Sequence, residues 1–518
     1  MTKRIWTSPY GELDGDVGVL PDLALAAAAA RPDRTALVDA ARGAVVPYAV
    51  LASRIDRVAA GLAADGFRPG DVLAVLAPNV PPWAGLALGA MRAGGAVTGV
   101  GPGATDADLA RQLALTGATV LVTTGSRLPG ARPAGVREVL VLGDAPAGVR
   151  PVTDLLASAA PAPEVRLDPA RPALLPCSSG TTGLPKAVVL THANLAAGVA
   201  QIRVALGLTP DDVVLGMAPC AHVMGFVGAL AAPLAAGATV VTLPRFELPA
   251  LLAAIERHRV TVLVMPPPVA AALAAAARTA DLGSLRLVVC GGAPLTPALQ
   301  GRLADRLPAA VVGQGYGMTE TTLAIPIPDP RTGTPPGSAG RLAPGTELRV
   351  VDPDSGRDQG PGRPGELWVR GPQVTPGYLG DPAATAALFA DGGWLRTGDL
   401  GLVDPDGYVV VVDRLKELIK VNALQVAPAE LEALLLTRPD VADAAVVGRP
   451  DPRTGEVPVA VVVPRGELDP DALRSWVAAR VAPHKRLADV VLTDRIPRTP
   501  SGKILRRQLR SGVPARAR

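Results

Sequence analysis

Residues 178–186 read Ser178, Ser179, Gly180, Thr181, Thr182, Gly183, Leu184, Pro185 and Lys186, and this polar segment lies between the apolar runs 173–176 and 187–190. Hydroxyl groups and exposed backbone amides between two strands can surround the oxygens of a polyphosphate. The segment is not a Walker A loop, because the glycine spacing differs and no Gly-Lys-Ser/Thr opens a helix. A flexible surface turn is the alternative, but four hydroxyl residues with two glycines and a lysine favour a phosphate-binding loop.

A second polar cluster follows the strand-like run 309–312 and consists of Gln314, Gly315, Tyr316, Gly317, Met318, Thr319 and Glu320. Tyr316 offers a flat face to a base, and Thr319 offers a hydroxyl to phosphate. The Glu320 carboxylate is a hard oxygen ligand of the kind that Mg²⁺ prefers. A Tyr-Gly pair alone is more often a packed turn, so this hypothesis gains its weight from the phosphate-binding loop in the same chain.

Further polar segments lie towards the C-terminus. Asp399 ends the segment 394–399, and its carboxylate can bind both hydroxyls of a ribose, although a turn cap is the plainer interpretation. Arg414 and Lys416 belong to the segment 413–416. Residues 497–503 end in Gly502 and Lys503, which suits a lysine that enters a cleft formed by another domain.

Lysine is scarce, since it supplies only six of the 51 basic side chains. Lysine is a compact charge with three donors, whereas arginine is a planar fork, so a site that closes on one phosphate oxygen can require lysine. Base composition would leave the remaining lysines at random positions. Their occurrence inside short motifs therefore favours functional roles for Lys186, Lys416, Lys420 and Lys503.

Apolar runs alternate with helical stretches through the first 330 residues, with strands predicted at 72–77, 118–123, 213–217, 239–243 and 285–290 and helices at 82–93, 248–258 and 297–307. This alternation predicts an α/β fold with parallel sheets covered by helices. Residues 326–412 are rich in Gly and Pro and predict a β subdomain. Beyond them, helices at 428–437 and 470–481 and strands at 441–447 and 457–463 predict a small α+β unit. We expect an N-terminal domain at 1–412 and a mobile C-terminal domain at 413–518.

Bulk properties exclude several classes of protein. The 518 residues carry a net charge of only +4, and the basic residues are dispersed, which argues against a nucleic-acid partner. No apolar run is long enough to predict a membrane span, and no signal peptide is apparent. The three cysteines lack metal or redox spacing, so we expect a cytoplasmic protein.

Taken together, these segments resemble the adenylate-forming superfamily of acyl-CoA synthetases, nonribosomal adenylation domains and firefly-type luciferases, along essentially the whole chain. Residues 415–419 and 425–430 are most similar to the branch of 4-coumarate and aryl or medium-chain acid CoA ligases. The resemblance implies that a carboxylic acid attacks the α-phosphate of Mg·ATP, giving an acyl-adenylate and pyrophosphate. The C-terminal domain then rotates, and a thiol, usually that of CoA, displaces AMP.

The resemblance also implies roles for individual residues. Lys503 would bridge the α-phosphate and the attacking carboxylate, Thr319 would touch the α-phosphate, and Glu320 would hold Mg²⁺. Tyr316 would lie against adenine, Asp399 and Arg414 would bind the ribose, and Lys416 would be the hinge. The remaining residues of the implied ATP/AMP site are Ser178, Ser179, Gly180, Thr181, Thr182, Gly183, Lys186, Gly292, Ala293, Gln314, Gly315, Gly317, Lys420 and Gln425.

His222 matches the family's histidine beside the substrate carboxylate, although a lone histidine is usually a packing residue. The acid-binding pocket implied around it is formed by Met224, Gly228, Gly291, Gly315 and Leu323. Small and apolar residues of this kind suit an aromatic or modest aliphatic acid.

One departure concerns the second half-reaction. CoA-forming relatives carry a glycine shortly after the hinge, where this chain has Ala423, and one methyl can obstruct a narrow passage. The leading hypothesis is a carboxylic acid:CoA ligase. The alternatives are an adenylating enzyme with another acceptor (a carrier-protein thiol, an amine, or nitrite activated towards an aryl amine) and a non-catalytic nucleotide-binding relative. Retention of Glu320, Asp399 and Lys503 argues against the last of these.

Overall fold

A mainly parallel sheet places several strand ends side by side. In the computed structural model, which describes residues 4–13, 18–130, 132–158, 160–178, 185–277, 279–422, 424–451, 453–499 and 502–512, its strands run in the order Val311–Gln314, Leu287–Cys290, Val262–Met265, Val213–Gly216, Thr239–Thr242, Thr35–Asp39 and Val45–Pro47. All neighbours are parallel except the last pair. Every residue of Val262–Met265 is buried, as expected for a sheet covered on both faces.

A second sheet carries the segments on either side of the predicted phosphate loop. Its strands run in the order Cys177–Ser178, Lys186–Thr191, Pro172–Leu174, Ala96–Val100, Val72–Leu76, Ala118–Thr124, Glu138–Leu142 and Arg150–Pro151. The strand Gly377–Tyr378 also pairs with Lys186–Thr191, in antiparallel orientation. This second pairing brings residues of the β-rich region next to the predicted phosphate-binding segment.

Helices cover these sheets, and several begin with proline in the first turn, where the missing N–H costs nothing. The α-helices of this part of the chain are Leu20–Ala30, Tyr48–Ala64, Pro82–Arg92, Asp106–Thr116, Thr153–Leu156, His192–Leu206, Ala232–Ala235, Leu248–His258, Pro267–Ala275 and Pro297–Arg306. Residues Met224–Ala231 form a π-helix, and Gly125–Arg127 and Thr319–Thr321 form 3₁₀ turns.

The β-rich region forms an antiparallel sheet. Its strands run in the order Trp6–Thr7, Glu347–Val351, Gly365–Arg370, Trp394–Val403 and Phe389–Ala390, and Val409–Arg414 pairs with Trp394–Val403. A short ladder joins Pro326–Ile327 to Arg341–Leu342, and the helix Pro382–Leu388 precedes Phe389–Ala390. The register places Asp399 directly opposite Arg414.

The last part of the chain builds a sheet of its own. The strands run in the order Leu424–Val426, Ile419–Val421, Gly455–Pro464 and Val441–Asp451, and Asp489–Leu492 pairs in parallel with Gly455–Pro464. The helices Pro428–Leu435 and Pro470–Ala478 pack on this sheet around Leu431, Val446 and Leu473, and Pro483–Lys485 and Arg506–Gly512 complete the unit.

The structure confirms the predicted fold class, a large α/β part with parallel sheets, a β-rich part and a small α+β part. The helix predicted at 248–258 has those bounds, whereas the strand predicted at 441–447 continues to Asp451 because its end pairs with Gly455. The helix predicted at 428–437 ends at Leu435. The division of the chain at residues 412 and 413 stays a prediction.

Candidate active site

The candidate site lies at one edge of the first parallel sheet. Parallel strands all end at the same edge, and ligands of such folds bind there. The segment 290–293 follows one strand, Gln314–Tyr316 ends its neighbour, and the turn 217–222 follows a third. The sheet therefore brings three of the predicted segments together.

Glu320 is a buried carboxylate in the 3₁₀ turn Thr319–Thr321. Its Oε1 accepts hydrogen bonds from the Ser178 hydroxyl at 3.2 Å and from the Tyr378 hydroxyl at 2.8 Å. Among the described residues, no hydrogen bond reaches Oε2. One oxygen of this carboxylate is thus held by the protein, and the other stays available to a ligand.

Asp399 forms a second buried acidic centre. The Tyr316 hydroxyl donates a hydrogen bond to its Oδ2, and Arg414 Nε lies 3.3 Å from its Oδ1. Burial raises the pKa of Asp399, while Arg414 and the Tyr316 hydrogen bond oppose that shift. The structure therefore groups the three residues that were predicted to bind adenosine.

Lys503 reaches this region from the C-terminal unit. An isolated bridge between Arg498 and Ile504 shapes its loop, and the Thr499 hydroxyl accepts from the Lys503 amide at 3.1 Å. A Cβ added to Gly502 would lie 3.1 Å from Pro268 Cδ and 3.8 Å from Ala293 Cβ, so the loop touches the parallel-sheet edge. The backbone at Gly502 has φ +86°, a conformation that favours glycine.

The charges around Lys503 link it to both acidic centres. The Lys503 side chain is exposed, but the surrounding protein displaces part of its hydration shell, and this desolvation lowers its pKa. The charge of Arg414 lowers the pKa further. Asp399 and Glu320 oppose that shift. The lysine therefore lies at the sheet edge within electrostatic range of both carboxylates, and we call this region the cleft.

His222 lies at the same cleft, in a turn held by its surroundings. The buried Asn79 amide donates to Ala218 O at 2.9 Å and accepts from the Cys220 amide at 2.8 Å. A Cβ on Gly99 would overlap Ala221. Surrounding protein lowers the pKa of His222, and the charge of Lys503 lowers it further, so the neutral imidazole is favoured at pH 7.

The predicted acid pocket is brought together behind His222. A Cβ on Gly291 would lie 3.0 Å from Met224 Sδ, and one on Gly228 would lie 2.9 Å from Leu323 Cδ2. A Cβ added to Gly291 would lie 3.7 Å from the carbonyl oxygen of Gly315, so the two glycines are neighbours. The two larger side chains thus pack against these glycines, and this lining is apolar.

Several residues that are predicted to bind the nucleotide also have structural roles in the same region. Gln314 Oε1 accepts from the Leu295 amide, and Gly292 has φ +84°. Gly317 approaches Leu323 so closely that any Cβ would overlap the Leu323 carbonyl.

Some predicted residues are not brought to the cleft or fall outside the described residues. Lys420 and Gln425 face one another across the hairpin Ile419–Val421 and Leu424–Val426, and both are exposed. Neither belongs to the described contacts of Glu320 or Asp399. Lys416 is exposed near Arg414 and Asp399, and burial of part of its side chain lowers its pKa. The residues that lie outside the described part are Ser179, Gly180, Thr181, Thr182, Gly183 and Ala423.

Comparison with known families assigns the chain. The family model described as AMP-binding enzyme matches residues 25–379, and the model described as AMP-binding enzyme C-terminal domain matches residues 430–503. The chain belongs to the AMP-binding enzyme family. The predicted adenylate-forming superfamily and the predicted class, an AMP-forming ligase, are thereby confirmed.

This AMP-binding enzyme is similar to enzymes of several kinds. The 4-coumarate–CoA ligase 5 of Oryza sativa subsp. japonica is 40% identical over 505 residues, covering 94% of this chain and 93% of that protein. The crystal structure of ATP-bound MatB from Rhodopseudomonas palustris is 30% identical with a TM-score of 0.88, covering 95% and 98% of the two chains. The amide bond synthetase McbA from Marinactinospora thermotolerans is 32% identical with a TM-score of 0.83, covering 95% and 99%.

Two residues of this AMP-binding enzyme were not predicted from the sequence. Tyr378 contacts Glu320 from 58 residues away, and Asn79 holds the turn before His222 from more than 130 residues away. Neither belongs to a short polar motif, so no local signal marked them.

Within the described residues, no helix is long and apolar enough to cross a membrane.

Proposed function

We propose that this enzyme activates an aryl or medium-chain carboxylic acid with Mg·ATP and then transfers the acyl group to the thiol of CoA. The main support is the meeting of Glu320, the Asp399–Arg414 pair and Lys503 in one cleft beside His222. The cleft combines positive charge, a free carboxylate oxygen and, beside His222, apolar side chains packed against glycines. These are the groups that joining an acid to a nucleotide phosphate requires.

Lys503 is the proposed catalytic residue. A carboxylate oxygen of the acid attacks the α-phosphorus, the bond to the β-phosphate breaks, and pyrophosphate leaves. Negative charge is crowded between the two anions as they approach, and the Lys503 ammonium offsets it. The neutral His222 imidazole can donate a hydrogen bond to the carboxylate and orient it for attack.

The adenosine part of ATP would occupy the Tyr316 and Asp399 region. The ring of Tyr316 would lie against adenine, and a ribose hydroxyl would share Asp399 with the Tyr316 hydroxyl and Arg414. Thr319 would contact the α-phosphate. Lys186 and the segment 178–183 would hold the β- and γ-phosphates.

Glu320 fits a magnesium ion that arrives with ATP. No group of three or more His, Cys, Asp or Glu side chains able to hold a metal occurs within the described residues, so the phosphates would supply further ligands. The free Oε2 of Glu320 would be the protein ligand. When bound, Mg²⁺ offsets the charge of the phosphate oxygens.

The pocket supports an uncharged side group on the acid. Met224 and Leu323 pack onto Gly291 and Gly228 and make its described lining apolar. The relative named 4-coumarate–CoA ligase 5, at 40% identity, supports an aryl acid.

The acceptor has a second candidate. Ala423 stands where CoA-forming relatives have glycine, and the 32% identity to a protein titled amide bond synthetase supports an amine in place of CoA. A carrier-protein thiol is the other acceptor hypothesis, and in a further alternative nitrite replaces the carboxylic acid and is activated towards an aryl amine. In each case Lys416 would be the point of rotation, and Lys420 and Gln425 would approach the adenylate as the small domain turns.

Cytoplasmic location stays a prediction, in agreement with the free thiols of the three cysteines.

Pyrophosphate release across a panel of aryl and medium-chain acids tests this proposal, with and without CoA. We expect release that depends on both the acid and CoA, with the thioester formed in equal amount. Sustained release that needs the acid but ignores CoA would favour an amine or carrier acceptor, to be tested by adding each. No release with any acid would contradict acid activation.

Replacing Ala423 by glycine separates the two acceptor hypotheses. If the methyl group obstructs the passage of CoA, Ala423→Gly increases the CoA-dependent rate and leaves acid-dependent adenylate formation unchanged. An unchanged CoA-dependent rate would remove the steric argument. The comparison is with the parent enzyme.

A further inference from the structure

Tyr378 is fixed between the phosphate-binding segment and the β-rich region. Its backbone pairs with Val188, and the Leu379 amide donates to Ala187 O at 2.9 Å. The Tyr378 amide donates to the Thr385 hydroxyl at 3.0 Å. The ring therefore has a defined position one strand away from Lys186.

The Tyr378 hydroxyl determines how the Glu320 carboxylate is turned. It donates to Oε1 at 2.8 Å, and the Ser178 hydroxyl donates to the same oxygen at 3.2 Å. Two donors on one oxygen hold the carboxylate in one orientation. A tyrosine hydroxyl is ordinarily protonated near neutral pH, so Tyr378 is the donor in this hydrogen bond and Glu320 the acceptor.

The ring of Tyr378 faces the lysine of the phosphate-binding segment. Lys186 Nζ lies 5.0 Å from the ring centroid, within the range of a cation–π interaction. The same ammonium lies 3.9 Å from Asp381 Oδ2. Tyr378 and Asp381 thus flank the charge that would meet the terminal phosphates.

We propose that Tyr378 is a positioning residue that sets Glu320 and Lys186 relative to one another, so that the metal and the terminal phosphates of ATP are bound together. Its hydroxyl would direct Glu320 Oε2 towards the metal, and its ring would hold Lys186 beside the phosphates. Asp381 would keep Lys186 near this position before ATP binds. This inference rests on the proposed use of Mg·ATP.

Two replacements separate the hydroxyl from the lysine contact. Tyr378→Phe removes the hydrogen bond to Glu320 and keeps the ring under Lys186. Asp381→Asn removes the charge beside Lys186 and keeps an oxygen for the Ala384 amide, which the Asp381 side chain caps at 2.9 Å. Tyr408→Phe is the matched control, because Tyr408 also lies under a basic side chain, Arg341, and its hydroxyl contacts Thr332 outside the cleft.

The readouts are the Mg²⁺ concentration that half-saturates pyrophosphate release, and the dissociation constant of ATP by calorimetry with and without Mg²⁺. We expect Tyr378→Phe to raise the half-saturating Mg²⁺ concentration by about tenfold or more, as when a partner of a metal ligand is removed. The KM for the acid should stay within about twofold, because the acid pocket is not touched. Asp381→Asn should weaken ATP binding equally with and without Mg²⁺, and Tyr408→Phe should change neither quantity.

An unchanged Mg²⁺ requirement and unchanged ATP binding in Tyr378→Phe would overturn the proposal. Thermal unfolding shows whether each variant is folded, and Asp381→Asn tests the lysine contact independently if Tyr378→Phe is not. The calorimetric measurement needs no acid. It therefore tests Tyr378 even if no acid supports turnover and the proposed function fails.

Discussion

Lys503 and His222 are exposed to water in the cleft, and the pKa of each is nevertheless changed by its surroundings. The pKa of each side chain is lowered, and the largest cause in both cases is desolvation by the surrounding protein. For the lysine, lowering favours the uncharged amine, so its useful ammonium form is lost at a lower pH than in water. For the histidine, lowering keeps a neutral hydrogen-bonding ring at pH 7.

The pH dependence of adenylate formation should therefore show an alkaline limb. Only the ammonium form of Lys503 offsets the crowded charge, so kcat/KM should fall as the pH rises through a value below the ordinary 10.5. Lys503→Arg should lower the rate and shift the limb to higher pH, because a guanidinium keeps its proton. Acid-dependent pyrophosphate release, measured from neutral to strongly alkaline pH, gives the profile.

Lys485→Arg is the control for this profile. Lys485 Nζ pairs with Glu430 at 2.7 Å on the C-terminal unit, away from the cleft carboxylates. The replacement should leave the limb where it is. An alkaline limb that stays in place in Lys503→Arg would show that another group titrates.

At the scale of elements, we expect specificity for the acid to depend on the turn before the π-helix Met224–Ala231. The turn carries His222 and leads into Met224, a residue of the proposed acid pocket, and it depends on the buried Asn79 amide for two backbone hydrogen bonds. An amide side chain can satisfy one carbonyl and one N–H at once, as a neighbouring strand would. Its loss leaves both groups buried without a partner.

Asn79→Leu should lower the free energy of unfolding by about 2–4 kcal/mol, because two buried backbone groups lose their hydrogen bonds. It should also raise the KM for the acid more than the KM for ATP, since the turn carries His222. Denaturant unfolding and steady-state kinetics measure the two effects. Tyr48→Phe, which removes buried bonds to Leu234 O and Ala238 O, should destabilise without this kinetic difference. Equal changes of the two KM values in Asn79→Leu would contradict a positioning role.

Periodicity predicted many elements, because burial of an apolar face is a local property of the sequence. The helix at 248–258 and the strands near 72–76 and 213–216 follow this rule. The π-helix after His222 was not predicted, since its residues are apolar on all sides. Tyr378 and Asn79 were not predicted either, because their partners are distant in sequence and only the pairing of sheets brings them together.

At the scale of the whole molecule, one cleft is built from three distant parts of the chain. The first parallel sheet supplies Glu320 and His222, the β-rich sheet supplies Asp399 and Arg414, and the last unit supplies Lys503. Gly502 lies against Pro268 and Ala293, so the small unit contacts the edge of the first parallel sheet. Short motifs in the sequence were enough to predict that these charges share a site, but not which contacts hold them there.

Acid-dependent exchange of pyrophosphate into ATP tests the central claim most directly, since it reports adenylate formation without any acceptor. The parent enzyme should catalyse exchange with an aryl or medium-chain acid and without CoA. Lys503→Ala should lose about 100-fold or more of this rate, as when one charge-stabilising group is removed, while Lys485→Ala should retain it. Exchange at the parent rate in Lys503→Ala would contradict the account.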